Sequence, residues 1–188
     1  HDNIRLQQKK YVLRGEHETE AIKGAGHLAG RTAWDREVSH SMNPDAEYHI
    51  LNETLRRVFY EKRWQREACM PHRIFFSQGN YPLKGLHYLL WAMPDILKKY
   101  PDTEIYVAGD NVTRYASVKE KLKIGSYGKY LRDEIVKYGL EEKVHFLGRL
   151  QAEDMCDAYL KSELFVSASA LENSPNSVGE AMLLGMPV

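Results

Sequence analysis

From Arg73 onward the chain alternates short apolar runs with amphipathic segments four times, and this alternation constrains the fold more than any other feature. Ile74-Phe75-Phe76 reads as a buried strand. Leu86, Leu89, Leu90, Met93, Ile96 and Leu97 follow at helical spacing, with Pro94 as an expected kink. Ile105–Gly109, Val144–Gly148 and Leu164–Ser167 read as further strands. Helices are expected around Leu131, Ile135 and Tyr138, around Met155, Ala158 and Tyr159, and over Val178–Leu184. Strands separated by helices pair in parallel, so the expected fold class is α/β, a doubly wound Rossmann-like sheet. Such sheets normally carry five or six strands. Met186-Pro187-Val188 stands where a fifth would begin, so the domain reads as truncated at its C-terminus.

The residues ahead of this pattern read differently, which divides the chain into 1–70 and 71–188. Residues 1–40 look least orderly, and Arg5–Glu20 is polar with little apolar periodicity. Gly24, Gly26 and Gly30 imitate a dinucleotide fingerprint, but the spacing is wrong and no apolar strand precedes them, so a loop or helix-packing role is expected. Asn43-Pro44-Asp45 signals a turn, Glu47–Leu51 a strand, and Leu55, Val58 and Phe59 a helical stretch towards Trp64. Trp34, Trp64 and Trp91 are expected as packing anchors.

Composition excludes several classes. With 26 basic and 26 acidic residues the net charge is zero, which argues against nucleic acid or an anionic membrane surface as partner. At 43% hydrophobic the chain can bury a core. No apolar run approaches the roughly 18–20 residues of a membrane span. The start has no signal-peptide h-region, and the absent initiator Met points to a piece of a longer chain. Cys69 and Cys156 read as free thiols in a reducing compartment. The eight histidines show no H-x-x-x-H or HExxH spacing, so no metal site is expected. Gly125–Lys129 resembles a phosphate loop only in composition.

In open α/β sheets ligands bind beyond the carboxyl ends of the strands. Two loops there are unusual: Gln78–Gly85 after the first strand and Ser169–Ser177 after the fourth. Lys84 stands at a helix N-terminus, where its ammonium, free N–H groups and the helix dipole suit a phosphate; a solvated lysine is the alternative. The second loop also leads into a helix N-terminus. Asn173, Ser174, Pro175, Asn176 and Ser177 keep the backbone approachable for an anion. Equally, Ser177 and Glu180 fit the capping box S-x-x-E. Glu172 can accept hydrogen bonds from sugar hydroxyls or simply sit in solvent.

Three stretches in order resemble one family: Pro82-Leu83-Lys84-Gly85, Phe146-Leu147-Gly148-Arg149-Leu150, and E-x7-E from Glu172 to Glu180 running on into Ala181–Val188. The resemblance is to the C-terminal donor-binding domain of the retaining GT-B glycosyltransferases of family 4 (group 1) over Arg73–Val188. Gly30–Arg36 also resembles the point where a bacterial subset leaves its acceptor domain. On this resemblance 1–70 is the tail of the acceptor domain plus linker, and 71–188 is the incomplete donor domain. It implies Lys84 on the donor diphosphate and Glu172 on the donor sugar as the catalytic pair. It further implies donor contacts from Gly79, Asn80, Leu147, Gly148, Ser174, Pro175, Asn176, Ser177 and Val178, with Glu180 on the ribose. The donor phosphate itself would act as base, with same-face departure and attack. No metal or other cofactor is implied, and no D-x-D triplet occurs.

The implied activity is transfer of a hexose from a nucleotide-diphosphate sugar to a saccharide or lipid-linked acceptor, in cell-envelope or capsular polysaccharide synthesis. The expected location is cytoplasmic, with peripheral association of the whole protein at the inner membrane face. The fragment alone is expected to be inactive and to self-associate through an exposed sheet edge. Two departures weaken the match. Gln78 and Gly79 stand where the family commonly has Gly-Arg, and Asn173 and Pro175 replace glycines. The alternatives are a GT-B nucleotide-sugar epimerase, a catalytically silent nucleotide-sugar-binding module, and a plain α/β interaction domain.

Overall fold

The computed structural model describes residues 2–115 and 126–188, in two compact units, His1–Thr54 and Leu55–Val188. In the first unit helix α1 (Asp2–Gly24) is followed by strand β1 (His27–Gly30), helix α2 (Ala33–Met42) and strand β2 (Glu47–Ile50). Helix α1 falls where the sequence looked least orderly. Its Gln, Lys, Arg, Glu and Leu residues are strong helix formers, so it needs no amphipathic stripe, and Leu6, Tyr11, Val12 and Leu13 stay exposed. Asn43 Nδ2 donates to the carbonyls of Ile22 and Ala25, satisfying acceptors at the end of α1. The glycine-rich stretch expected as a loop contains β1, which pairs in parallel with β2. Pairing rather than local pattern makes this strand: Glu47 N–H donates to Gly26 and Leu51 N–H to Gly30. Thr32 and Asp35 close a capping box at the start of α2.

The second unit is built as the alternation predicts. Helix α3 (Val58–Glu61) leads to β3 (Met70–Phe76), a 3₁₀ turn at Pro82–Lys84, α4 (Leu86–Lys99) and β4 (Glu104–Ala108). Then come α5 (Ser126–Lys137), β5 (Val144–Gly148), α6 (Ala152–Leu160), β6 (Ser162–Phe165) and α7 (Asn176–Leu184). Gly125 lies outside the described residues, and Ser126–Lys129 form the first turn of α5. Helix α4 runs through Pro94 to Lys99. The 70/71 division lies inside this unit, whose core takes in Phe59 and whose edge is tied by Trp64: its N–H donates to Leu184 and its Nε1 to Ser162. Of the other two read as anchors, Trp34 is largely exposed, while Trp91 is about half buried, stands edge-on to His87 and Tyr88, and donates from Nε1 to Glu134 across the α4–α5 face.

The four strands are parallel in the order β5-β4-β3-β6. Both faces are covered, which is why Ile74, Phe75 and Phe76 are all buried although successive side chains point to opposite faces. On one face Ile74 and Phe76 pack with Leu86, Leu90 and Met93 of α4 and Leu131 of α5. On the other, Phe75 packs with Phe59, Tyr159 of α6, Phe165, and Ala181 and Leu184 of α7. Pro187 O accepts from Phe165 N–H beside β6. Both cysteines are free, and burial pushes both thiols up. No helix among the described residues is long and apolar enough to cross a membrane.

Leu90 is fully buried in the α4 face. Leu90→Ala is expected to cost about 2–5 kcal/mol in urea unfolding, whereas exposed Met182→Ala stays within about 0.5 kcal/mol.

Candidate functional site

The strand order reverses between β3 and β6: the chain steps outward from β3 through β4 to β5, then returns to the other side of β3. In a doubly wound sheet the crevice at such a reversal is where ligands bind. Both unusual loops leave the sheet at this point, and they touch. Ala170 N–H donates to Leu83 O at 2.8 Å. Gly85 sits in the left-handed region at φ 78°, and a Cβ there would lie 2.0 Å from Ala168 O. Only glycine lets the first loop turn into α4 so close to the second.

Lys84 ends the 3₁₀ turn just before Gly85, and its Nζ pairs with a Glu172 carboxylate oxygen across the crevice. Both side chains are about three-quarters shielded from solvent, at 29% and 24% exposure. Burial pushes the Glu172 carboxyl up, but hydrogen bonds from Lys84 and Ser169 outweigh it and hold the group below its usual value. The two residues assigned to catalysis from sequence therefore form one ion pair.

Gly79 and Asn80 follow β3. Gly79 N–H donates to Ala108 O, and a Cβ on Gly79 would meet Val107 at 2.2 Å. A side chain at Gly79 would therefore require the Val107 and Leu86 side chains to shift. Asn80 Oδ1 is buried near Gly109 without a hydrogen-bond partner among the described residues. Leu147 and Gly148 end β5, where Gly148 O accepts from Gly109 N–H, and Arg149 forms an exposed fork to Asp110.

On the β6–α7 loop the left-handed turn falls on Ser174 (φ 60°), between the two positions that depart from glycine. Pro175 is the N-cap of α7, and no side chain caps it. Asn176, Ser177 and Val178 form the first turn, so Ser177 is inside the helix and no Ser177–Glu180 capping box exists. Tyr159 O–H donates to Ser177 O from a fully buried ring, fixing this turn from below; burial holds the phenol well above its usual range.

Glu180, with its side chain 5% exposed, takes a two-pronged contact from Arg56: Nε and Nη2 each donate at 2.7 Å to separate carboxylate oxygens. This pairing raises the Arg56 guanidinium further. Sequence reasoning missed Arg56, Ser169 and Tyr159. Arg56 and Glu180 are 124 residues apart, and no spacing could join them. Arg56→Ala would strand the buried carboxylate. Because the guanidinium is 39% exposed, the expected loss is about 1–3 kcal/mol by denaturant unfolding, below the ~3–5 kcal/mol of a fully buried pair. Glu172 has a second signature. A carboxyl held below its ordinary 4.5 stabilises the fold above that pH, and the contribution is lost as pH falls through the lowered value. Glu172→Gln is expected to flatten that acid limb of the stability–pH curve.

Residues 60–188 match the family described as Glycosyl transferases group 1. Over 105 residues the chain is 30% identical to an uncharacterized glycosyltransferase of Methanocaldococcus jannaschii, covering 56% of this chain and 23% of that protein. Among solved structures it superposes on S. aureus TarM, crystallised with fondaparinux, α-GlcNAc-glycerol and UDP. The TM-score is 0.67 and the identity 18%, over 92% of this chain and 32% of that one. Sucrose-phosphate synthase from Thermosynechococcus elongatus gives a TM-score of 0.67 at 19% identity, over 91% and 42%. Anabaena HepE, in complex with UDP and glucose, gives 0.64 at 18%, over 87% and 44%. At these identities the structures establish the fold, and this chain spans less than half of each. With the family match covering residues 60–188 and the sheet following the C-terminal domain of GT-B enzymes, the chain belongs to the group 1 glycosyltransferases.

Proposed function

We propose that the second unit is the donor-binding part of a retaining, family 4 type hexosyltransferase that takes its sugar from a nucleotide diphosphate sugar. The observation that carries this reading is the Lys84–Glu172 pair spanning the crevice where the strand order reverses. A diphosphate brings negative charge, and Lys84 together with the N-terminus of α7 offers a cation and a helix dipole to receive it. Donor binding then exchanges partners: Lys84 turns from Glu172 to the diphosphate, and Glu172 becomes an acceptor for the sugar's hydroxyls. Glu180, oriented by Arg56, keeps lone pairs for the ribose hydroxyls, since a carboxylate offers about four acceptor sites and Arg56 uses two. Leu147 and Gly148 line the base mainly through backbone.

No side chain of this chain is needed as a nucleophile in this reading. The leaving phosphate takes the acceptor's proton, and the protein contributes positioning and charge stabilisation. UDP in the TarM and HepE structures supports a nucleotide donor. The first unit is assigned to the acceptor half, with a saccharide or lipid-linked acceptor. The assigned setting is cytoplasmic cell-envelope polysaccharide synthesis.

Calorimetric titration of the chain with UDP, GDP and ADP tests the reading. One nucleotide is expected to bind, and Lys84→Ala to weaken it about 10–100-fold, the worth of one charge-assisted hydrogen bond. Saturation at 100 times Kd raises stability by about 2.7 kcal/mol, visible as a thermal shift. Binding unaffected by Lys84→Ala, or binding of none of the three, would overturn it.

A further inference from the structure

In the first unit the parallel register sets His27 beside Glu47 and Ala29 beside His49. Alternation along each strand then puts His27, Glu47 and His49 on one face of the two-stranded sheet. The opposite face carries Leu28 and Tyr48, which line a cleft with Trp34 and Val38 of α2. The histidine face is open to solvent, with side-chain exposures from 49% to 70%.

Three potential ligand atoms converge there. His27 Nδ1 lies 3.1 Å from His49 Nε2 and 3.4 Å from Glu47 Oε2, and His49 Nε2 lies 3.9 Å from Glu47 Oε1. The two imidazole rings are 5.3 Å apart, tilted by 32°. Without a metal, one proton on His27 Nδ1 can be shared between His49 and Glu47, and the third separation is too long for a hydrogen bond. A cation at the centre would use all three residues at once, each as a donor of an electron pair. Ligand atoms about 2.0–2.2 Å from a tetrahedral metal stand about 3.3–3.6 Å from each other; the separations here, 3.1 to 3.9 Å and reaching both Glu47 oxygens, bracket that range, so small rotations of exposed side chains would seat an ion.

We propose that His27, Glu47 and His49 bind a divalent transition-metal cation of the zinc class. Two imidazoles and one carboxylate form a borderline donor set that favours zinc, copper, iron or nickel over magnesium or calcium. Three protein ligands leave a position open to water, the pattern of accessible rather than closed metal sites. The site belongs to the first unit and does not rest on the reading given for the donor crevice. Sequence spacing conceals it, because His27 and His49 lie on different strands, 22 residues apart.

The test is calorimetric titration of the full chain with Zn²⁺, repeated with Co²⁺ while its visible absorption is recorded. One ion per chain is expected, with a Co²⁺ band of low-symmetry coordination. His49→Gln and Glu47→Gln are each expected to weaken Zn²⁺ by more than the ~10–100-fold that losing an outer-shell partner costs. Lys84→Ala is expected to bind Zn²⁺ unchanged, which separates this site from the donor crevice. Circular dichroism checks that each variant is folded, and Glu47→Gln, nearly isosteric, decides the matter if the histidine variant is not. No Zn²⁺ binding by the unaltered chain, or equal binding by a folded Glu47→Gln variant, would overturn the proposal.

Discussion

The reversal of strand order between β3 and β6 is the constraint on which the second unit depends. Helix α4 leaves β3 towards one face of the sheet, and α7 leaves β6 towards the other. The two connecting loops must therefore separate, and the crevice between them opens at the carboxyl edge. Two backbone contacts close its floor: Ala170 N–H to Leu83 O, and Val166 N–H to Phe75 O. Gly85 allows the loops to approach this closely.

Charge in the unit is distributed according to burial. The Arg149–Asp110 fork is exposed and of the kind that contributes about 0–1 kcal/mol. The Glu180 carboxylate is almost wholly shielded and is met by the two-pronged Arg56 contact. Lys84 and Glu172 lie between these extremes. Both of their side chains are about three-quarters shielded. Tyr159 links this chemistry to packing. Its ring stands edge-on to Phe59 and Phe75 in the core, and its hydroxyl holds the first turn of α7.

Local pattern and tertiary pairing had unequal shares in the two units. Strands β3 and β4 carry apolar runs buried on both faces, and α4 shows its period plainly, whereas β6 begins two residues ahead of the apolar run that signalled it, at Ser162. Unit one offered less: Glu47–Leu51 reads as a strand and β2 forms there, but the elements before it were not legible. Helix α1 has no buried stripe, and β1 contains one large apolar residue, Leu28, so only its pairing with β2 makes it a strand. The E-x7-E spacing placed Glu172 on the loop and Glu180 on the helix, but the capping box suggested by the S-x-x-E spacing of Ser177 and Glu180 does not form.

Sequence by itself determined the α/β class, the order of strands and helices in the second unit, and the two loops that meet at the strand-order reversal, because all of these follow from periodicity and turn chemistry over neighbouring residues. Tertiary structure alone decided the partners. Arg56 reaches Glu180, Lys84 reaches Glu172, and His27 meets His49 only because strands and loops far apart in the chain are brought side by side. Such pairings depend on register and on which faces of the sheet are covered. Neither quantity is written in the spacing of residues along one strand.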